Sequence, residues 1–112
     1  MDYNIPDWAK ALSCAITVCD KNGVIKYMND KSLVINGGTK MLGANLFPCH
    51  NERSQEIIRR LLEKGESNSY TIEKKGVKKL IHQTPWYADG EIAGLVEISI
   101  EIPEQMPHYV RG

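Results

Sequence analysis

The sequence predicts an α+β fold, a sheet assembled from the two ends of the chain with a long amphipathic helix laid across it. Two observations carry this. Between residues 51 and 65 the apolar positions Ile57, Ile58, Leu61 and Leu62 recur at i, i+1, i+4, i+5, with Arg59, Arg60, Glu63 and Lys64 opposite them, which is the pattern of a helix with one face for a core. After Glu66, and again between Ala15 and Met28, β-branched and aromatic runs are separated by short turn signals, the pattern of antiparallel hairpins.

Taken in order, Ile5, Trp8, Ala9 and Leu12 fall at i, i+3, i+4, i+7 behind Pro6, so a short amphipathic helix is expected over 5–13. Residues 15–19 (AITVC) and 24–28 (VIKYM) flank the Asn22-Gly23 turn signal and should form a hairpin. Asn29 or Asp30 is placed to cap a short helix that Gly37-Gly38 ends, because glycine accepts the left-handed backbone at a helix stop. A connecting turn over 39–43 leads to Leu46, Phe47 and Pro48. The long helix starts cleanly, with Asn51 as N-cap and Glu52 in the first turn, and Gly65 stops it. Residues 69–73, 77–87 and 91–102 are then strands joined at Lys74-Lys75-Gly76 and Asp89-Gly90. Pro85 lacks a ladder donor, so its end of the strand should lie at an edge or bulge. In the last strand Val96, Ile98, Ile100 and Ile102 alternate with Glu97, Ser99 and Glu101. One set should face the core and the other water or a partner, and the apolar set, Ile98 included, is expected on the core side. Residues 103–112 hold two prolines and read as an extended arm.

A chain of 112 residues is expected to form one domain. Its 14 basic and 14 acidic residues balance, which argues against nucleic acid or an anionic membrane as partner. There is no long apolar run, and the start MDYNIPDWAK lacks the basic-then-apolar layout of a secretory signal, so a cytoplasmic location is expected. Cys14, Cys19 and Cys49 are odd in number without CxxC spacing and read as reduced thiols.

The run CAITVCDKNGVIKYMND resembles the opening of a PAS domain, where an apolar strand ends in Asp, a glycine turn follows and the second strand ends in Asn. Leu42-Gly43 followed by Asn45-Leu46-Phe47 is similar to the family's turn before its long helix, and DGEIAGLVEISIEI resembles its closing strand with an internal glycine. The resemblance spans about residues 12–102 of the chain. It implies a PAS-like five-stranded antiparallel sheet with short helices packed on one face, and a sensor that binds a small ligand or dimerises and signals to an effector. The usual exit into a signalling helix is replaced by Pro-Glu-Gln-Met-Pro, so an effector protein in trans is expected.

Cys49-His50 is the most suggestive pair for chemistry. A thiol beside an imidazole at a helix start can be a nucleophile, a metal-ligand pair or a haem ligand. The plainer reading, a buried thiol and a histidine bonded to backbone, carries more weight, because neighbours in sequence often point apart and no second ligand cluster is visible. Haem through His50 is the sharpest cofactor hypothesis, although the helix interior SQEIIRRLL has no histidine, and the Asn-Cys-Arg-Phe setting of flavin-binding relatives is not matched by residues 48–51. Trp86 and Tyr87 could roof a pocket, and His82 lies mid-strand with its facing undecided.

The leading expectation is therefore a non-catalytic sensor with a small molecule held between the long helix and the sheet by Leu46, Cys49, His50, Ile57, Ile58, Leu61 and Ile98. An anionic or carbonyl end would meet the helix N-terminus and His50. A haem or metal module on His50 is second. A thiol enzyme on Cys49 and His50 lacks a third group and an oxyanion loop, and a ligand-free dimeriser is the remaining alternative. A homodimer through the N-terminal helix and the outer sheet face is expected, since Trp8 and Leu12 need a covering surface.

Overall fold

A computed structural model describes residues 5–46 and 51–112. Nine residues beyond Pro6 the chain enters β1 (Ala15–Asp20), and β2 (Ile25–Met28), β3 (Asn68–Lys74), β4 (Val77–Ala88) and β5 (Glu91–Glu101) complete one antiparallel sheet in the order β2-β1-β5-β4-β3. The helices are α1 (Asp7–Lys10), α2 (Asp30–Ile35) and α3 (Glu52–Lys64), with a 3-10 turn at Thr39–Met41. The five-stranded α+β architecture anticipated from the sequence is the one observed.

Turn chemistry sets the hairpins. Asp20 Oδ1 accepts from the N–H groups of Asn22 (2.9 Å) and Val24 (3.0 Å), closing the β1–β2 turn. Lys75-Gly76 and Asp89-Gly90 both hold positive φ at two successive residues, the two-residue form whose twist matches the strands. Each of α2 and α3 starts on an asparagine that accepts from an N–H three residues on, Ser32 for Asn29 and Ser54 for Asn51. Gly65, at φ 70°, ends α3.

Where α1 was expected over 5–13, only one turn forms. Pro6 offers no side-chain cap, Ala9 alone is buried, and Trp8 and Leu12 stay 71% and 37% exposed. A turn this short gains little by itself, and tertiary contact holds it. That contact is Asn29, which is 0% exposed. Its Nδ2 donates to Ala9 O (3.0 Å) and Cys14 O (2.9 Å), while Oδ1 accepts from Ile16 N (2.9 Å) and Ser32 N (3.0 Å). One side chain thus ties α1, β1 and α2 together.

Pro85 is buried in β4 against Leu95, beyond the reach of β3, which begins opposite Gln83. A bulge follows between Trp86 and Tyr87. Both of the placements that proline allows therefore meet at this point. Ala93 is the extra residue of the bulge, and it shifts the β4–β5 register so that Gln83 faces Glu97 and not Val96.

That register overturns the expected facing of β5. The core under α3 is Cys19, Ile58, Leu61 and Leu95, with Leu46, Ile57 and Leu62 packed on it. Leu95 and Glu97 therefore point toward the helices, and Val96, Ile98 and Ile100 occupy the other side of the sheet, because side chains alternate along a strand. Gly94 shares that far side: a Cβ there would overlap Cys19 O and Trp86 Nε1, the latter donating to Cys19 O at 2.9 Å.

Candidate functional site

Four strands contribute one residue each to a row that crosses the helix side of the sheet, Asn68 on β3, Gln83 on β4, Glu97 on β5 and Thr17 on β1. Asn68 Nδ2 donates to Gln83 Oε1 (3.1 Å), and Gln83 Nε2 donates to Glu97 Oε1 (3.0 Å). The direction of this relay is forced by chemistry. An ionised carboxylate only accepts, so Gln83 must present its NH₂ to Glu97 and its carbonyl to Asn68. Beyond Glu97, Thr17 Oγ1 lies 2.6 Å from Ser32 Oγ, and Asn36 Nδ2 donates to Ser32 O (3.0 Å) and Ser32 Oγ (3.2 Å).

Three of the row, Thr17, Gln83 and Glu97, floor a cavity of about 120 Å³ between the sheet and the helices. Its walls are Cys19, Ile25, Met28, Met41, Leu46, Ile58 and Leu95, and its polar groups come from Thr17, Asn36, Gln83 and Glu97. An apolar enclosure with a few convergent polar groups is the usual build of a small-molecule site. Glu97 sits in it without a cation: among the described residues no Lys, Arg or His lines the cavity. Its charge is felt by its neighbours. Burial, with smaller contributions from Asp20 and Glu97, pushes the Cys19 thiol up to about 11, and burial together with Glu97 raises Tyr70 as well. Cys19 is therefore a neutral wall residue and not a thiolate.

A second, more open cleft of about 300 Å³ lies between the start of α3 and β3, lined by Asn51, Arg53, Ser54, Ile57, Asn68, Tyr70 and Gln83. Gln83 belongs to both.

Of the residues expected at a site, Leu46 and Ile58 line the cavity, Ile57 lines the cleft, and Leu61 packs in the core beside Ile58 without reaching the cavity surface. Ile98 does not belong: it faces away, across from Ile16 and His82. Cys49 and His50 lie outside the described residues. His82 shares the far side, its Nδ1 2.6 Å from Ser69 Oγ. Arg60 pairs with Glu66 at 3.2 Å on the exposed side of α3, and Arg59 donates to Gln55 Oε1 there. The polar lining residues that sequence reading missed are Thr17, Asn36, Gln83 and Glu97. The polar side of β5 looked like the wet side, and only the bulge register brings Gln83 opposite Glu97.

A sequence model described as the PAS fold matches residues 9–106. The chain belongs to the PAS-fold family. Among solved structures with this PAS fold, a sensory box sensor histidine kinase from Vibrio cholerae is 21% identical, with 82% of this chain and 84% of that one covered and a TM-score of 0.65. VqmA bound to DPO is 19% identical at a TM-score of 0.69, covering 85% of this chain. The chain spans about half of VqmA, 54% of its length. Aer2 from Vibrio cholerae, a dual PAS-haem oxygen sensor, is 17% identical with 80% and 95% covered and a TM-score of 0.62. No curated protein matches the sequence.

The described cavity lining of this PAS domain does not fit haem. It offers no imidazole, its one thiol is held neutral, and about 120 Å³ is well below the roughly 300–1,000 Å³ of larger ligand sites. Among the described residues no three of His, Cys, Asp or Glu are grouped to hold a metal ion. No helix among them is long and apolar enough to cross a membrane.

Proposed function

We propose that this PAS domain is a non-catalytic sensory module that binds a small organic molecule in the cavity beneath α3 and signals its occupancy to an effector protein in trans. The observation that carries the reading is the cavity itself, apolar on its walls and floored by Thr17, Gln83 and Glu97, with Asn68 holding Gln83 from the neighbouring cleft. Such a relay fixes the orientation of a ligand's polar end while the walls supply the area for burial. A related PAS structure belongs to a sensor histidine kinase, and VqmA was solved bound to DPO. The far side of the sheet supports a homodimer. Leu80 and Ile100 are exposed there beside Val96 and Ile98, and the VqmA relative is described as a dimer.

Native mass spectrometry of the purified chain, sprayed under conditions that keep non-covalent ligands, tests the ligand reading. The expected result is an adduct of fragment size, about one ring, lost in Ile58→Phe, which fills the cavity from α3. A parent that stays empty against a broad fragment set would overturn it.

A further inference from the structure

The chemistry of the cavity floor selects among ligands, and this selection rests on the cavity being the binding site. Glu97 is half-buried, and Gln83 Nε2 is its only side-chain hydrogen-bond donor among the described residues. A carboxylate has about four lone-pair positions, so most of its accepting capacity is unused on the side that faces the cavity. Nothing basic among the described lining residues balances the charge. The neighbouring polar groups do not compensate: Gln83 already spends its carbonyl on Asn68, and the Thr17 hydroxyl lies against Ser32. A half-buried carboxylate with one neutral donor still offers accepting positions to the cavity, and a ligand that brings charged donors fills them with strong hydrogen bonds. An anion entering the same space would meet the carboxylate at short range and be repelled. The helix N-terminus that would favour an anion lines the outer cleft with Arg53, and its Ser54 N–H is already taken by Asn51 at 2.8 Å.

We infer that the cavity's ligand is a small protonated amine, its N–H groups bonded to the free oxygen of Glu97 and its short apolar body against Ile58 and Leu95. The size of the enclosure limits that body to a few carbons or a single ring.

Three probes of one shape and different charge test this by calorimetry on the full chain: benzylamine, benzyl alcohol and benzoate. Benzylamine should bind about tenfold or more tightly than benzyl alcohol, as expected of a charge-assisted hydrogen bond, and benzoate should not bind. Glu97→Gln should remove the advantage of the amine over the alcohol. The comparison among probes on the parent protein stands even where that variant folds poorly. If the alcohol binds in a manner that Ile58→Phe abolishes but the amine is no better, the cavity is a ligand site and the amine assignment is wrong. Tighter binding of benzoate overturns the assignment in the same way. If none of the three binds, the amine assignment falls, while the ligand reading stands or falls on the broader fragment set.

Discussion

Asn29→Ala removes the side chain that joins α1, β1 and α2. Four backbone groups lose their partner at once, the N–H groups of Ile16 and Ser32 and the carbonyls of Ala9 and Cys14. The Ser32 bond is an N-cap, whose loss costs about 0.5–2 kcal/mol. Each other group left buried and unpaired costs about 1–3 kcal/mol unless water reaches it. Truncation opens room for water, so the sum will fall short of the parts, and a loss of about 3–5 kcal/mol is expected. Asn29→Asp separates the two halves of the interaction. It keeps an acceptor for Ile16 and Ser32 but turns the other oxygen toward two carbonyls, so at neutral pH it should be no more stable than the alanine variant. Urea unfolding followed by far-UV circular dichroism gives both values. A loss below about 1 kcal/mol for Asn29→Ala would refute the idea that this residue holds the N-terminal segment to the sheet.

The remaining expectations are of four kinds. Leu61, 3% exposed in the core beneath α3, should cost about 2–5 kcal/mol when truncated to alanine, and a loss under about 0.5 kcal/mol would mean that its burial is misassigned. Gly94→Ala forces a methyl against Cys19 O and the Trp86 ring, and since backbone must shift, a loss of about 2 kcal/mol or more is expected in the same assay. Cys19 titrates at about 11 when folded against an ordinary 9.0, so the unfolded chain releases its proton first. Its contribution to stability is complete below about pH 9 and is lost as the pH rises through 11. Iodoacetamide at mildly alkaline pH should accordingly label half-buried Cys14 and spare Cys19 until urea is added, as read by peptide mass mapping. Finally, Ile98→Asp and Trp8→Asp should each lower the sedimentation coefficient if the far side of the sheet and α1 form the dimer contact; unchanged sedimentation of both would leave that surface without a second copy.

Much of the fold was legible because its signals are local. Asn22-Gly23, Lys75-Gly76 and Asp89-Gly90 mark their own turns, and α3 announces its buried stripe through Ile58 and Leu61. The site was less legible because it depends on register. From the Asp89-Gly90 turn alone, Gln83 would face Val96, and the alternation of β5 then puts the isoleucines toward the helix. A single bulge residue, Ala93, changes that pairing to Glu97. Alternation identifies two faces but not which one the helices cover when both carry apolar residues. Gly94 and Pro85 were the visible hints, since a glycine and a proline in neighbouring strands often accompany a bulge. Asn29 shows the same limit. Its cap was readable from sequence, but its bonds to Ala9 and Cys14 join segments that only the folded chain brings together.

The most direct measurement of the central claim is a methyl-labelled NMR titration with a fragment library. The methyl groups of Ile25, Ile58 and Leu95 line the cavity, whereas those of Ile16, Ile98 and Ile100 lie on the other side of the sheet. A ligand beneath α3 should shift the first set at low concentration and leave the second in place. Shifts confined to Ile16, Ile98 and Ile100, with Ile58 and Leu95 unmoved, would contradict the account and put recognition on the opposite face of the sheet.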